Sequence, residues 1–245
     1  MTVFYGEFDP APELRPLFAS YWVFRAGGVL PAGFEHTVPP DGAVSLTVLP
    51  SGFVMAVGPR TEPMRPPVSA GDVVYGARLW PGAAAAVLRT DVFGLRNRAL
   101  PLGDLLPGAE PGRLAAALRE RPEDEEAVRR FDAVLAPLAD RAQALDAAVM
   151  RAVFAILEAR GQVAVSELAR GAGLSERHLR RRFVRAVGLS PKELARVWRL
   201  RASLLDALAS PQRRWVELAA ACGYADQAHL VKEYKRLSGL APEAY

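Results

Sequence analysis

Three consecutive arginines, Arg180, Arg181 and Arg182, stand in the stretch GLSERHLRRRF, residues 173–183, with Arg177 ahead of them and Arg185 just after. A guanidinium is permanently charged and carries its donors in a fixed fork. The chemistry it offers is bidentate recognition of a phosphate or a guanine edge. Leu179 and Phe183 lie four residues apart in the same stretch, which marks one apolar face of a helix and turns the arginines to the other. A solvated helix face would show the same composition, so the surroundings must decide between the two readings.

Bond-making chemistry is poorly supplied. The chain has one cysteine, Cys222, so it forms no internal disulfide and no cysteine-based metal site. Cys222 precedes Gly223 and reads as a packed residue; a redox switch there would need a second chain. Of the three histidines, His178 and His229 each stand apart from any carboxylate or histidine cluster. His36 is the only one in the front half, which excludes an oxygenase site of two histidines and a carboxylate there. No catalytic set, metal or cofactor is expected, and the chain does not read as an enzyme.

Charge is unevenly placed. Residues 1–141 hold 14 Lys/Arg against 17 Asp/Glu, a net of −3, and residues 142–245 hold 17 against 10, a net of +7. A polyanion is therefore expected to meet the back half. The start, MTVFYGEFDP, has no basic segment followed by an apolar one, and no apolar run approaches the ~20 residues of a spanning helix. A cytoplasmic location away from membranes is the expectation.

The elements that would position the arginines follow from an internal repeat. Glu167, Leu168, Ala169 and Gly173 match Glu217, Leu218, Ala219 and Gly223 at an offset of 50. Leu179, Phe183, Gly188 and Pro191 match Leu230, Tyr234, Gly239 and Pro242 at an offset of 51. The extra residue falls just after the glycine, where a turn absorbs it. Each copy reads as helix, turn, helix, with glycine ending the first helix and Ser175 or Asp226 capping the second. That is a helix-turn-helix, whose second helix enters the DNA major groove. Between the copies, Ser190, Pro191 and Glu193 form a capping box with proline at the first helical position. A helix over residues 191–209 would run roughly 28 Å at ~1.5 Å per residue, close to the ~34 Å of one DNA turn. Such a rod would hold two reading helices in successive major grooves.

The stretches ELARGAGLSERHLRRRF, GLSPKEL, RLRA and ELAAACGYADQAHLVKEYKRLSGLAP resemble the DNA-binding domain of AraC/XylS-family transcriptional regulators. The resemblance covers about 100 residues. It implies base contacts from Arg177, Arg180 and Arg181 in the first copy and from Gln227, His229 and Lys232 in the second. Arg182, Arg185, Arg199, Lys235 and Arg236 are then placed for phosphates, with bracing of the two subdomains an equal alternative for Arg199. The pieces SYWVFR, PPDGAVSL, VGPRTEP and GARLWPGAA resemble the N-terminal domain of a subgroup of such regulators. The resemblance implies double-stranded operator DNA as partner, with a small-molecule effector, RNA polymerase and a second copy of the chain as further ones.

The expected architecture is α+β with two domains. Residues 1–141 form a β-barrel or sandwich-like domain with appended helices over about 110–141. Residues 142–245 form an all-α domain: helix-turn-helix units over about 165–188 and 215–239, joined by a long helix over about 190–209. In the front half, short apolar runs separated by Pro and Gly read as strands, and LPSGF reads as a hairpin turn. Tyr21, Trp22, Phe34, Tyr75, Arg78 and Trp80 are candidates to line a small-molecule pocket within residues 1–108, with ordinary core the alternative. Arg78, the one charge in an apolar strand, could grip an anion or point outward. Val128, Phe131, Val134, Leu135 and Leu138 form an apolar stripe that suits either self-association or packing within the chain. The function expected is a sequence-specific transcription regulator responding to a small molecule. The alternative is an architectural DNA-binding protein whose front half only oligomerises.

Overall fold

The computed structural model describes residues 2–239 apart from residues 32, 109 and 211, so Pro242 of the second repeat lies outside the described residues. Six strands form one antiparallel sheet: β1 (Thr2–Phe8), β2 (Phe18–Gly27), β3 (Ser45–Val48), β4 (Val54–Val57), β5 (Val73–Leu79) and β6 (Ala99–Pro101). Their order across the sheet is β1-β2-β5-β3-β4-β6. The LPSGF turn joins β3 to β4, with Val48 opposite Val54 and Gly52 at a φ of 84°.

Alternation along β2 divides its aromatics between the two faces. Tyr21 and Tyr75 are fully buried beneath α4 (Asp124–Asp140). The Tyr21 hydroxyl donates to Asp132 Oδ1 at 2.9 Å and its ring stacks 4.7 Å from Phe131. The Tyr75 hydroxyl donates to the Pro122 carbonyl at 3.0 Å. Trp22 lies on the opposite face, flat over Gly76, where a Cβ would stand 2.1 Å from its ring.

Three short or middling helices complete this half: α1 (Ala84–Leu88), α2 (Leu102–Leu105) and α3 (Glu110–Leu118). The apolar stripe of α4 is spent here. Phe131, Leu135 and Leu138 are buried, and Val128 and Val134 pack beside them against the sheet. The packing alternative therefore holds for this stripe, and it is not a free self-association surface.

The back half is helical: α5 (Ala147–Glu158), α6 (Val165–Ala172), α7 (Glu176–Val187), α8 (Pro191–Ala209), α9 (Trp215–Ala221) and α10 (Gln227–Ser238). It has two cores. Leu168, Leu179, Phe183 and Leu194 belong to the first, and Leu200, Leu218, Leu230 and Tyr234 to the second. The long helix α8 feeds both, giving Leu194 and Ala195 to one and Val197, Leu200 and Leu204 to the other. Its start is fixed as the sequence dictates: Ser190 Oγ accepts from the Glu193 amide at 3.3 Å and Glu193 Oε2 accepts from the Ser190 amide at 2.8 Å. Among the described residues no helix is long and apolar enough to cross a membrane.

Candidate nucleic-acid interface

Helix α7 begins at Ser175, whose hydroxyl accepts from the His178 amide at 3.3 Å, after a left-handed Gly173 at φ 69°. Burial of Leu179, Phe183, Ala186 and Val187 fixes its rotation. Each large apolar side chain contributes about 1.5–3 kcal/mol on leaving water. With that face held, Arg177, Arg180, Arg181 and Arg185 are exposed.

Arg182 is not among them. Its Nε and Nη2 donate to Asp146 Oδ2 and Oδ1 at 2.8 and 2.6 Å, a two-pronged pair with the residue that caps α5. Asp146 also accepts from the Ala148 and Val149 amides, each at 3.1 Å. Burial works against its charge, but the Arg182 bonds and these amides outweigh that and hold the carboxyl below its usual value. Arg182, expected at a phosphate, is thus engaged within the chain: one turn beyond His178 the helix flank faces α5, and the guanidinium pairs with Asp146 there.

The second copy repeats the construction. Asp226 Oδ1 accepts from the His229 amide at 2.7 Å. Leu230, Tyr234 and Leu237 turn inward, and Gln227, Ala228, His229, Lys232, Lys235 and Arg236 are exposed. His229 Nδ1 accepts from the Ala225 amide at 3.4 Å, so its Nε2 edge is the one left outward. Glu233, nearly buried, accepts from Arg196 Nη2 and Nε of α8 at 2.6 and 2.8 Å. Burial opposes its charge, and the Arg196 bonds override that, so its pKa is lowered. This pair locks α10 to the long helix.

Arg199 is also engaged within the chain. Its Nη2 donates to the Gly161 carbonyl at 2.9 Å and its Nη1 to the Gly223 carbonyl at 3.2 Å, with the guanidinium over the Tyr224 ring. Gly161 belongs to the first unit and Gly223 to the second, so Arg199 braces them. Bracing and a phosphate contact were the two alternatives for this residue, and these contacts are of the bracing kind.

A cleft of about 990 Å³ lies beside α7, between its exposed face, the start of α8 and a 3-10 turn of the front half, Val92–Leu95. Arg177, Arg181 and Arg196 line it from one side, and Asp91, Phe93 and Arg96 from the other. Asp91 stands 3.5 Å from Arg185. Arg96 Nη2 donates to Glu193 Oε1 at 2.6 Å, so the front half grips the capping box of α8. Asp91, Arg96, Asp146 and Glu193 had no place in the sequence reading of the site, and only the Ser190–Glu193 spacing announced one of them.

The six residues expected to line a small-molecule pocket do not converge as a set, though Trp22 and Arg78 both contact Tyr5 and Tyr21 and Tyr75 share one core. Tyr21 and Tyr75 are core beneath α4, Trp22 is on the far face, and Phe34 is half-buried in the loop before β3. Trp80 donates from Nε1 to the Arg15 carbonyl at 2.9 Å and sets its ring 5.5 Å from Phe154 of α5. Arg78 is engaged by its own chain, donating to Asp41 at 2.8 Å, Glu7 at 2.7 Å, the Tyr5 hydroxyl at 3.0 Å and Ser20 at 3.2 Å. Glu7 and Asp41 supply anions to Arg78, which the sequence left either to grip an anionic ligand or to point outward. Among the described residues no group of three or more His, Cys, Asp and Glu is placed to hold a metal ion.

Two family descriptions match the chain: a helix-turn-helix domain over residues 168–245, and a domain of unknown function, DUF6597, over residues 6–101. The C-terminal unit is thus a helix-turn-helix domain. A helix-turn-helix is a DNA-binding module whose second helix enters the major groove. Among curated proteins none matches by sequence. Among solved structures, an apo variant of ToxT from Vibrio cholerae strain SCE256 is 12% identical, at a TM-score of 0.46, with 99% of this chain and 95% of that one covered. ToxT from the same strain with an unsaturated fatty acid bound is 11% identical, at a TM-score of 0.43, over 100% of this chain and 94% of that one.

Proposed function

We propose that the protein binds a specific operator with α7 and α10 in successive major grooves of one DNA face, and that the front half regulates this binding. The observation that carries the reading is the matching exposure in the two copies: Arg177, Arg180 and Arg181 on α7 and Gln227, His229 and Lys232 on α10 are exposed, while Leu179/Phe183 and Leu230/Tyr234 are buried and both helices contact α8. Those six side chains are assigned to base edges, where a two-pronged pair discriminates by ~1–3 kcal/mol. Arg185, Lys235 and Arg236 are assigned to phosphates, which give affinity without sequence information.

The regulatory role of residues 2–101 rests on their contacts with the reading unit, at Arg96–Glu193, Asp91–Arg185 and Trp80–Phe154. A small molecule held by this half would act through those contacts. Selection of binding sites from random duplex, followed by salt titration on the selected and a scrambled site, tests the reading. A selected consensus with two half-sites and affinity that falls with salt on both duplexes is expected. No enrichment, or affinity indifferent to salt, overturns it.

A further inference from the structure

The two glycines that end the reading helices occupy equivalent places in the repeat, and the same loop of the front half touches both. Gly188 ends α7 at φ 80° and Gly239 ends α10 at φ 74°. A Cβ on Gly188 would stand 2.7 Å from Pro59 Cγ and 2.9 Å from the Val92 carbonyl. A Cβ on Gly239 would stand 2.6 Å from Arg65 Nη2 and 3.2 Å from Pro63 Cγ. Pro59, Pro63 and Arg65 lie within one short connection after β4.

That connection is fastened at its start. A Cβ on Gly58 would fall 2.0 Å from the Leu95 carbonyl, so the loop is pressed onto the 3-10 turn that also meets Gly188. The Gly58 amide donates to the Arg98 carbonyl at 2.9 Å and the Asn97 amide to the Pro59 carbonyl at 3.0 Å. Asn97, left-handed at φ 54°, accepts from the Thr61 amide at 2.8 Å and donates to Thr61 Oγ1 at 3.0 Å. Asn tolerates that backbone region better than most residues. Further along, the Val38 and Met64 backbones pair, with 2.8 and 2.9 Å hydrogen bonds. The loop is therefore anchored at both ends and meets the C-terminus of each reading helix. Arg65 also brings a cation to a helix C-terminus, where the unpaired carbonyls favour it.

We infer that the loop of residues 58–65 is a clamp that fixes the two reading helices relative to each other, with Pro63 and Arg65 as positioning residues for α10 and Pro59 for α7. The clamp sets the half-site spacing the protein accepts, and it is the route by which a change in the front half reaches both helices at once. This rests on the two-helix reading of DNA above, but the geometric part is measurable without DNA.

The test uses the full chain. Spin labels go on the exposed positions of Arg170→Cys and Ala220→Cys, one in each helix-turn-helix unit, in a Cys222→Ala background. The distance distribution between them is compared for this parent, for Pro63→Ala/Arg65→Ala and for Arg65→Lys. A narrow distribution in the parent, a broader one in the double variant at unchanged helix content, and a parent-like one in Arg65→Lys support the clamp. A distribution as broad in the parent as in the double variant, or unchanged by the double variant, overturns it and leaves the DNA-binding reading intact. A second arm uses the selected operator with one base pair inserted between half-sites, which displaces one helix from its base edges. The parent is expected to lose about tenfold or more in affinity, the cost of one lost base contact, and the double variant clearly less. Equal losses in both overturn the spacing claim.

Discussion

Replacing Arg182 with Ala is expected to cost the fold and spare DNA affinity, the reverse of what an arginine in a basic run suggests. The side chain makes two charge-assisted bonds to Asp146, at 2.6 and 2.8 Å. Hydrogen bonds to charged groups contribute about 1.5–3 kcal/mol each when sheltered, and exposed ion pairs about 0–1 kcal/mol. With side-chain exposures of 36% and 27%, this pair falls between, and solvent screening discounts it to about 1–2 kcal/mol. Asp146 keeps its two amide donors, so the carboxylate is not orphaned. The loss carries a pH signature. The folded-state pKa of Asp146 is depressed below its ordinary 3.8, so its share of stability is fully present above that value. That share disappears as pH falls through the lowered folded pKa. The gap between parent and Arg182→Ala in urea unfolding is thus constant from pH 7 to about 5 and closes in acid. On DNA, Arg182→Ala retains its salt slope, whereas Arg181→Ala leaves stability within about 0.5 kcal/mol and loses ~1–3 kcal/mol on the preferred site. An Arg182→Ala protein with parental stability and a salt slope lower by about one would refute the reasoning and return Arg182 to the phosphates.

Other expectations rest on single contacts. Asp91→Asn removes a carboxylate 3.5 Å from Arg185 at the edge of the basic cleft and is expected to raise affinity for random duplex, read by fluorescence anisotropy at low salt; unchanged affinity contradicts a role for Asp91 there. Gly76→Ala places a methyl in the Trp22 ring and is expected to destabilise the chain by about 1–3 kcal/mol in denaturant unfolding. Glu233→Gln removes the charge pairing with Arg196, leaving at most a hydrogen bond to a neutral amide oxygen, and is expected to lower stability with DNA sequence preference unchanged, since neither group lies on the exposed face of α10; an altered selected consensus would place Glu233 in recognition instead.

The back half was legible because its signals are local. Gly173, Ser175 and the Leu179/Phe183 spacing act within one or two helical turns, and the Ser190–Glu193 box acts within one. Their geometry follows from backbone rules that hold in any context. Arg182 was not legible, because Asp146 is 36 residues away and nothing in either neighbourhood announces the other. Arg199 was half legible: its charge was plain, but its two carbonyl acceptors come from different units that only folding brings together. The front half hid more. Adjacent aromatics in a strand face opposite sides, so Tyr21 and Trp22 cannot line one pocket. Arg78 looked like an unpaired charge because Glu7 and Asp41 reach it from distant segments. The stripe on α4 shows the same limit, since periodicity marks an apolar face without naming what covers it.

The central claim is that one chain reads two major grooves one DNA turn apart through α7 and α10. Hydroxyl-radical footprinting on the selected operator tests it most directly. The expected pattern is two protected segments about 10–10.5 base pairs apart on one DNA face, with binding lost when about five base pairs are inserted between them, because the half-sites then face opposite sides. A single protected segment, or an insertion bound as tightly as the original operator, would contradict the account.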